Sequence, residues 1–357
     1  MTCPNRLGES SPGFTGTSTL RIFVPTHVLS TPLAAPVSLR FAMKVLVTGG
    51  AGFIGSHVVE RLLDAGHEVS VVDSLERGSR DNIAGPLERG VRLHETDIRD
   101  RSLRALLADE RPEVVMHLAA QVDVRVSVAD PVLDADINVS GSLNLLEGAR
   151  EAGTRKVIVT SSGGCIYGEP KPDALPVKET YRGSPESPYG ISKRVLHDYL
   201  AFYKQAHGMD WTVLALANVF GPRQDPYGEA GVVSIFLGKM FANEEPVIYG
   251  DGKQTRDFVY AGDVADAFMR AIKKGSGTVF NIGTGVETTV VELWEGCARA
   301  ASYTGEMRFA PKRLGELERI SLDWSRASKK LGWEPATDLS KGLAETAAWV
   351  KSRLGSS

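Results

Sequence analysis

The sequence predicts an α/β fold, a doubly wound parallel sheet followed by a smaller C-terminal α/β domain. Short apolar strands alternate with helices from Met43 to about residue 160. Such alternation needs crossover connections, which make the sheet parallel and place ligands at the carboxyl ends of its strands. After about residue 215 the chain has longer loops rich in Gly and Pro, typical of a domain that covers a ligand. We therefore expect one domain over residues 43–215 and another over residues 216–357, with a soft boundary that allows the two to interleave.

Each element is predicted from its hydrophobic pattern and its end signals. The strands are Lys44–Thr48, Val69–Val72, and three more that start at Val91, Val114 and Lys156. The helices are Phe53–Ala65, Arg101–Asp109, a long helix ending near Gly153, and a helix from Pro188 to about Ala206. Ser187 suits the N-cap of that last helix and Pro188 its first turn, while Gly208 marks its end.

Composition excludes several classes of protein. The chain has 357 residues, 42% hydrophobic and 24% charged, with a net charge of −3, so a small-molecule partner is expected rather than nucleic acid or an anionic membrane. No apolar run approaches the roughly 18 residues of a membrane span. The three cysteines, Cys3, Cys165 and Cys297, neither pair in number nor show metal-ligand spacing. We therefore expect a cytoplasmic protein with reduced cysteines and no metal site.

The first 42 residues differ from the rest of the chain. They are rich in Pro, Ser and Thr, contain Glu9 as their only acidic residue, and sustain no helix or strand period. A transit peptide fits this composition, but the first strand begins directly after Met43. We expect residues 1–42 to be a disordered leader and Met43 to be the functional start.

Residues 44–57, KVLVTGGAGFIGSH, run from an apolar strand through three spaced glycines into a helix. Gly49 allows the tight turn, Gly52 lets a ligand approach the backbone, and Gly55 lets the helix pack closely. The helix N-terminus then offers its unpaired N–H groups to an anion. The pattern predicts a site for the pyrophosphate of a dinucleotide, with an ordinary strand-to-helix turn as the alternative.

An acidic residue at the end of the second strand supports the dinucleotide interpretation. Asp73 follows Val72 about where a carboxylate receives the ribose 2′-OH of NAD and repels the 2′-phosphate of NADP. Arg77 and Arg80 follow closely and could meet a phosphate instead. We predict dinucleotide binding with NAD preferred over NADP.

Tyr189 and Lys193 lie one turn apart on the helix that begins at Pro188, so their side chains share one face. A phenol has an ordinary pKa of about 10 and is a poor base near neutral pH unless a cation stabilises its phenolate. The lysine ammonium and an oxidised nicotinamide would both do so. The pair therefore predicts general acid–base chemistry beside a nicotinamide, with an incidental surface pair as the alternative.

The order of these motifs resembles the extended short-chain dehydrogenase/reductase family, which has the Rossmann fold, and within it the NAD-dependent nucleotide-sugar epimerases. The likeness covers Met43 to nearly the C-terminus and rests on TGGAGFIGSH, Asp73, HLAAQ, the Tyr-x-x-x-Lys pair, ANVFGPRQ, QTRDF and KRLGELE. It implies epimerisation at C4 of a UDP-hexose through a transient 4-keto sugar, with UDP-glucose and UDP-galactose as default substrates and UDP-glucuronate as the main alternative. It also implies a homodimer. A non-catalytic NAD-binding sensor is the alternative from another class, which the presence of both Tyr189 and Lys193 disfavours.

The resemblance assigns roles to the residues that match the family's motifs. Cofactor contacts are expected from Gly49, Gly52, Phe53, Ile54, Gly55, Asp73, Asp97, Ile98, Leu118, Ala119, Ala120, Gln121, Tyr189 and Lys193. Substrate contacts are expected from Ser162, Tyr189, Asn218, Val232, Arg256, Arg313 and Glu316, with the two arginines suited to a diphosphate. The expected catalytic residues are Tyr189, Lys193 and Ser162.

The loop after the strand at Lys156 departs from the family pattern. Most relatives carry Ser or Thr four residues before a Tyr-Gly pair, where it hydrogen-bonds the sugar O4, but this chain has Gly163 there. We expect Ser162 to serve instead, because two adjacent glycines free the backbone; the alternative is that Ser162 only caps the strand end and water serves O4. Gly164 and Cys165 stand where the family's dehydratases carry an acid and a base, which argues against removal of water.

Overall fold

A seven-stranded parallel sheet organises the chain. The computed structural model describes Gly13 and residues 42–226, 231–312 and 317–354, and Arg40–Ser357 is one compact unit. The predicted leader, residues 1–42, lies outside the described residues apart from Gly13 and Ala42. No helix in the described ranges is long and apolar enough to cross a bilayer.

The strands are β1 (Lys44–Thr48), β2 (Glu68–Asp73), β3 (Arg92–Glu95), β4 (Val114–His117), β5 (Lys156–Ser162), β6 (Asp210–Leu216), β7 (Asn218–Phe220), β8 (Val247–Tyr249), β9 (Thr255–Arg256), β10 (Phe258–Tyr260), β11 (Thr278–Ile282), β12 (Thr288–Thr289) and β13 (Arg308–Ala310). All five strands predicted for the first half are present. The doubly wound parallel sheet is confirmed, because seven strands pair in parallel in the order β11-β6-β5-β4-β1-β2-β3.

The α-helices are α1 (Phe53–Asp64), α2 (Ala84–Glu88), α3 (Ser102–Glu110), α4 (Val124–Ala129), α5 (Pro131–Ala135), α6 (Ser142–Glu151), α7 (Pro188–His207), α8 (Val232–Phe241), α9 (Ala261–Ala271), α10 (Val290–Ala301), α11 (Ser325–Leu331) and α12 (Leu339–Leu354). Short 3₁₀ turns lie at Arg80–Ile83 and Pro172–Ala174. Helix α7 starts as predicted, since the Ser187 side chain accepts a hydrogen bond from the Gly190 N–H at 3.1 Å. It ends at Gly208, which adopts the left-handed conformation.

The predicted long helix ending near Gly153 is interrupted. It consists of α5, a π-helical segment at Asp136–Gly141, and α6. Within the π segment, the Asn138 side chain accepts a hydrogen bond from the Gln121 N–H and donates one to the Gln121 carbonyl, both at 2.9 Å. These two bonds fix the segment against the loop that follows β4, a contact that helical periodicity cannot predict.

The strand order reverses direction between β1 and β4, and this position is where ligands bind in open α/β sheets. The register places Thr48 of β1 beside Val72 of β2 and beside His117 of β4. The carboxyl ends of these strands therefore open at one edge of the sheet.

Helices cover both faces of the sheet and pack their apolar sides against it. Helices α1 and α9 pack on one face, where Val58, Leu62 and Phe268 are fully buried. Helices α3, α6 and α7 cover the other face, with the fully buried Leu107 and Leu145 between them and the strands. This burial on both faces explains the continuous apolar runs in the central strands, such as residues 45–47 in β1 and 114–116 in β4.

The second half of the chain builds a further core from α8, α10 and α12, with small strand pairs β7–β10, β9–β12 and β8–β13. It also supplies β11, which pairs with β6 at the edge of the main sheet. The division at residue 215 stays a prediction.

Candidate active site

A cleft of about 960 Å³ opens at the carboxyl ends of the central strands. It is lined by every residue for which the sequence predicted a cofactor contact: Gly49, Gly52, Phe53, Ile54, Gly55, Asp73, Asp97, Ile98, Leu118, Ala119, Ala120, Gln121, Tyr189 and Lys193. Its volume suits a ligand of small-molecule size. A second cleft of about 430 Å³, lined by Glu60, Asn82 and Arg223 among others, contains none of the predicted site residues that fall in the described ranges.

The glycine-rich turn leaves no room for side chains where it meets the cleft. Gly49 has φ +70°, and a Cβ there would lie 2.6 Å from the Ala119 backbone nitrogen. A Cβ on Gly55 would lie 2.0 Å from the Gly49 carbonyl oxygen, so α1 packs directly on the turn. The turn therefore presents bare backbone and a helix N-terminus to the cleft, which fits the pyrophosphate of a dinucleotide.

Asp73 is held at the end of β2 by the backbone of the same turn. Its carboxylate accepts hydrogen bonds from the Ala51 and Leu75 N–H groups, each at 2.9 Å, and the residue is 7% exposed. Burial raises the pKa of Asp73, and these N–H groups oppose the shift. Arg80 pairs with Glu95, whereas Arg77 lines the cleft. The carboxylate is thus fixed beside the turn, where it suits a ribose hydroxyl.

Tyr189 and Lys193 both line the cleft from α7, and the Lys193 Nζ lies 5.9 Å from the Tyr189 ring centroid. Burial raises the pKa of Tyr189, while a hydrogen bond with the Ser162 side chain opposes that rise. Burial lowers the pKa of Lys193 to about 8, and the negative charge of Asp134 opposes that fall. The cleft therefore holds a proton-carrying phenol and an amine whose charge changes near physiological pH.

Leu322 takes up the space beside Gly163, so its side chain would have to shift to admit a larger residue at this position. A Cβ there would lie 2.3 Å from Leu322 Cδ1 and 3.2 Å from the Leu216 carbonyl oxygen. Ser162 instead lines the cleft and hydrogen-bonds the Tyr189 phenol. The structure thus places a hydroxyl beside Tyr189 by using the residue before Gly163.

The predicted substrate residues reach the cleft to different degrees. Asn218 lines it, and its Oδ1 would lie 3.8 Å from a Cβ on Gly164. Val232 follows Gly231, which lines the cleft, but Val232 itself does not. Arg256 does not line it either, although its charge acts on the Cys165 thiol. Arg313 and Glu316 lie outside the described residues.

Two residues that the sequence did not single out, Gln224 and Asp134, belong to this environment together with Cys165. Gln224 lines the cleft, is 8% exposed, and has a side-chain oxygen without a hydrogen-bond partner among the residues that the structure describes. The Cys165 thiol hydrogen-bonds the Ser162 side chain, and burial raises its pKa. Asp134 is fully buried beneath Lys193. Gln224 is the last residue of the ANVFGPRQ motif, from which Asn218 was predicted, so the same motif could have indicated Gln224. Asp134 belongs to no motif.

No group of three or more His, Cys, Asp or Glu side chains within the described ranges is placed to hold a metal ion. The polar groups that line the cleft include the Tyr189 phenol, the Lys193 amine and the Ser162 hydroxyl, together with the glycine-rich turn. This set can move one proton at a bound hydroxyl while a dinucleotide lies along the sheet edge.

Comparison with known proteins agrees with this geometry. The model of the NAD dependent epimerase/dehydratase family matches residues 45–283. The UDP-glucose 4-epimerase of Mycolicibacterium smegmatis is 46% identical over 313 residues, which are 87% of this chain and 99% of that protein. The putative UDP-glucose 4-epimerase of Methanocaldococcus jannaschii is 45% identical over 307 residues, 86% of this chain and 98% of that protein.

Solved structures show the same likeness over the whole fold. The UDP-glucose 4-epimerase of Thermotoga maritima, solved with UDP-glucose, matches with a TM-score of 0.84 and 46% identity, covering 87% of this chain and 100% of that one. The UDP-glucose 4-epimerase of Thermus thermophilus, solved with NAD, matches with a TM-score of 0.82 and 42% identity, covering 87% of this chain and 99% of that one.

Proposed function

Because the chain belongs to the NAD-dependent epimerase/dehydratase family, we propose that it is an NAD-dependent UDP-hexose 4-epimerase that interconverts UDP-glucose and UDP-galactose. The observation that carries the proposal is the meeting of Tyr189, Lys193 and Ser162 in the cleft that also contains the glycine-rich turn. The names of the relatives at 45% and 46% identity support the choice of substrate.

The residues of the cleft fit NAD. Gly49, Gly52 and Gly55 would hold its pyrophosphate and Asp73 its adenine-side ribose, because bare backbone meets phosphate and a carboxylate meets hydroxyls there. Bound NAD supplies a reversible hydride acceptor for the sugar C4 and is unchanged after each turnover.

We assign the proton transfer to the Tyr189 phenolic oxygen, which takes the proton of the sugar O4 hydroxyl and later returns it. The positive charge of Lys193 stabilises the phenolate, because Lys193 is buried and its side chain shares one face of α7 with Tyr189. Ser162 touches the same phenol and orients the O4 hydroxyl towards it. Cys165, with a raised thiol pKa, offers no acid or base for dehydration.

Two residues of the second half are proposed to hold the UDP part. Asn218 lines the cleft, and Arg256 lies close enough to Cys165 for its charge to oppose the rise in the thiol pKa that burial causes. A guanidinium in that position can bind diphosphate oxygens in a bidentate manner. The assignment of Arg313 and Glu316 to the same diphosphate and its ribose, and of Val232 to the substrate, rests on the family resemblance.

We propose a homodimer formed through one exposed apolar face. Large apolar side chains are exposed on three helices that pack together, α4, α5 and α7: Val128, Val132, Ile191, Tyr199 and Phe202. Such a patch marks an interaction surface rather than ordinary solvent exposure. A Phe202→Glu variant that sediments as a dimer like the parent would count against this face. Within the described ranges the two cysteines, Cys165 and Cys297, are free thiols, which supports our proposal of a reducing, cytoplasmic location.

The decisive test is turnover on a panel of UDP-sugars without added cofactor. The purified protein should release NAD rather than NADP on denaturation, because Asp73 disfavours a 2′-phosphate. UDP-galactose should then give UDP-glucose, measured by resolving the products. Turnover of UDP-glucuronate alone would make that sugar the substrate. Failure of the NAD-loaded protein to turn over any UDP-sugar would refute the proposed function.

Replacing Ser162 with Ala should lower kcat by about 10- to 100-fold, since a hydrogen bond to a reacting group contributes about 1.5–3 kcal/mol. KM and NAD content should change little, because the contact matters most in the transition state. Ser161→Ala is the matched control, since the Ser161 hydroxyl contacts the Lys193 carbonyl oxygen and His197. If Ser161→Ala is impaired while Ser162→Ala is not, the role belongs to Ser161.

A further inference from the structure

The buried carboxylate of Asp134 collects hydrogen bonds from three separate parts of the site. It has no exposed surface and accepts from the Gln121 Nε2 at 3.0 Å, the Asn138 Nδ2 at 2.9 Å and the Ser192 Oγ at 2.5 Å. These donors come from the loop after β4, the π-helical segment and α7. All three are neutral, so hydrogen bonding alone leaves a full negative charge in the protein interior.

The positive charge that balances Asp134 belongs to Lys193, the residue that follows Ser192 in α7. Lys193 is 4% exposed, and the charge of Asp134 favours its protonated form. An isolated buried charge of either sign is costly, whereas two opposite charges withdrawn from water stabilise each other. Asp134 therefore does two things. It holds α7 in place through Ser192, and its negative charge compensates the positive charge of Lys193.

We propose that Asp134 is a positioning residue that keeps Lys193 charged beside Tyr189 and ties α7 to the cofactor-lining loop at Gln121. The inference rests on the proposed function for its kinetic consequence, but the charge pairing itself does not require turnover. Asp134 does not reach the cleft and acts through Lys193 and Ser192.

The other titratable groups around this pair do not replace Asp134. His117 on β4 faces Lys193, and burial lowers its pKa to about 3, so it stays neutral near physiological pH. Tyr189 faces Cys165 on the loop after β5, and burial raises the pKa of each. Asp134 is thus the described group whose negative charge acts on both Lys193 and Tyr189.

Asp134→Asn removes the charge and keeps the shape. The amide oxygen still accepts from Gln121 and Asn138, and the Ser192 hydroxyl can rotate to accept from the amide nitrogen. In the parent, activity should fall as pH rises through the Lys193 pKa of about 8. Activity should also rise with pH as the Tyr189 phenol loses its proton, which gives the profile an acid limb. Removing a nearby negative charge lowers the pKa of a lysine and of a tyrosine, so the alkaline limb set by Lys193 and the acid limb set by Tyr189 should both move to lower pH. We expect a shift of about one pH unit, hence about a tenfold lower rate above the alkaline limb.

Ser192→Ala is the matched control, since it removes one hydrogen bond and leaves the carboxylate charge. Its profile should keep the parent's limbs even if the maximum rate falls. An Asp134→Asn enzyme with unshifted limbs and only a lower maximum would overturn the proposal in favour of a purely structural role.

A double-mutant cycle tests the charge pairing without any turnover. Asp134→Asn should lower the Tm in the parent by more than in a Lys193→Met background, because the second background has no buried ammonium left unpaired. If the Asp134→Asn variant fails to fold but the double variant with Lys193→Met folds, that result also supports the pairing. Simple additivity of the two Tm changes would overturn it. Absence of epimerase activity in the parent would refute the proposed function and leave this cycle intact.

Discussion

Replacing Tyr189 with Phe should lower kcat by about 10²- to 10⁴-fold, the usual contribution of general acid–base catalysis. The phenolic oxygen is the proton acceptor that the proposal assigns to the cleft, and its removal leaves the ring and its packing in place. Bound NAD should remain, because the glycine-rich turn and Asp73 are untouched. The measurement is kcat with UDP-galactose together with the NAD content of the purified variant.

Tyr199→Phe is the matched control for this experiment. Tyr199 lies on the same helix, is 37% exposed and does not line the cleft, so the same chemical change there should leave kcat near the parent value. A Tyr189→Phe enzyme that turns over at nearly the parent rate would remove this phenol from the mechanism.

Replacing Gly55 with Ala should abolish retention of NAD and lower the thermal stability. The new Cβ would lie 2.0 Å from the Gly49 carbonyl oxygen and 2.8 Å from the Gly50 Cα, and both are backbone atoms that cannot rotate away. Overpacking of this kind costs about 1–3 kcal/mol, and we expect the upper end because the whole turn must move. The readouts are the NAD released on denaturation and the Tm of the NAD-free protein.

Gly85→Ala is the control for that substitution. Gly85 lies in α2 with no atom within 4 Å of a built Cβ and no positive φ, so alanine there should be neutral or slightly stabilising. A Gly55→Ala protein with the parent's NAD content and Tm would show that the turn is less constrained than its backbone contacts indicate.

Sequence alone predicted the features that depend on residues close together in the chain. The buried strands, the turn at Gly49, the cap at Ser187 and the pairing of Tyr189 with Lys193 all follow from local periodicity or spacing, and the structure has them. Because each is a short-range pattern, a single sequence is enough to find it.

Features made by residues distant in sequence could not be predicted. Leu322 fills the space beside Gly163, and nothing near Gly163 in the chain signals that contact. The burial of Asp134 depends on the loop at Gln121 and on α7 meeting over it. The π-helical turn has the same cause, since its Asn138 is fixed by Gln121 rather than by helix propensity.

The position of β11 has a consequence for how the protein is made. Strand β6 pairs with β5 on one side and with β11 on the other, so its outer edge has unpaired N–H and C=O groups until residues 278–282 have left the ribosome. An unpaired apolar edge strand is a template for aggregation. A chain that stops before Thr278 should therefore accumulate as insoluble material, not as a free NAD-binding fragment.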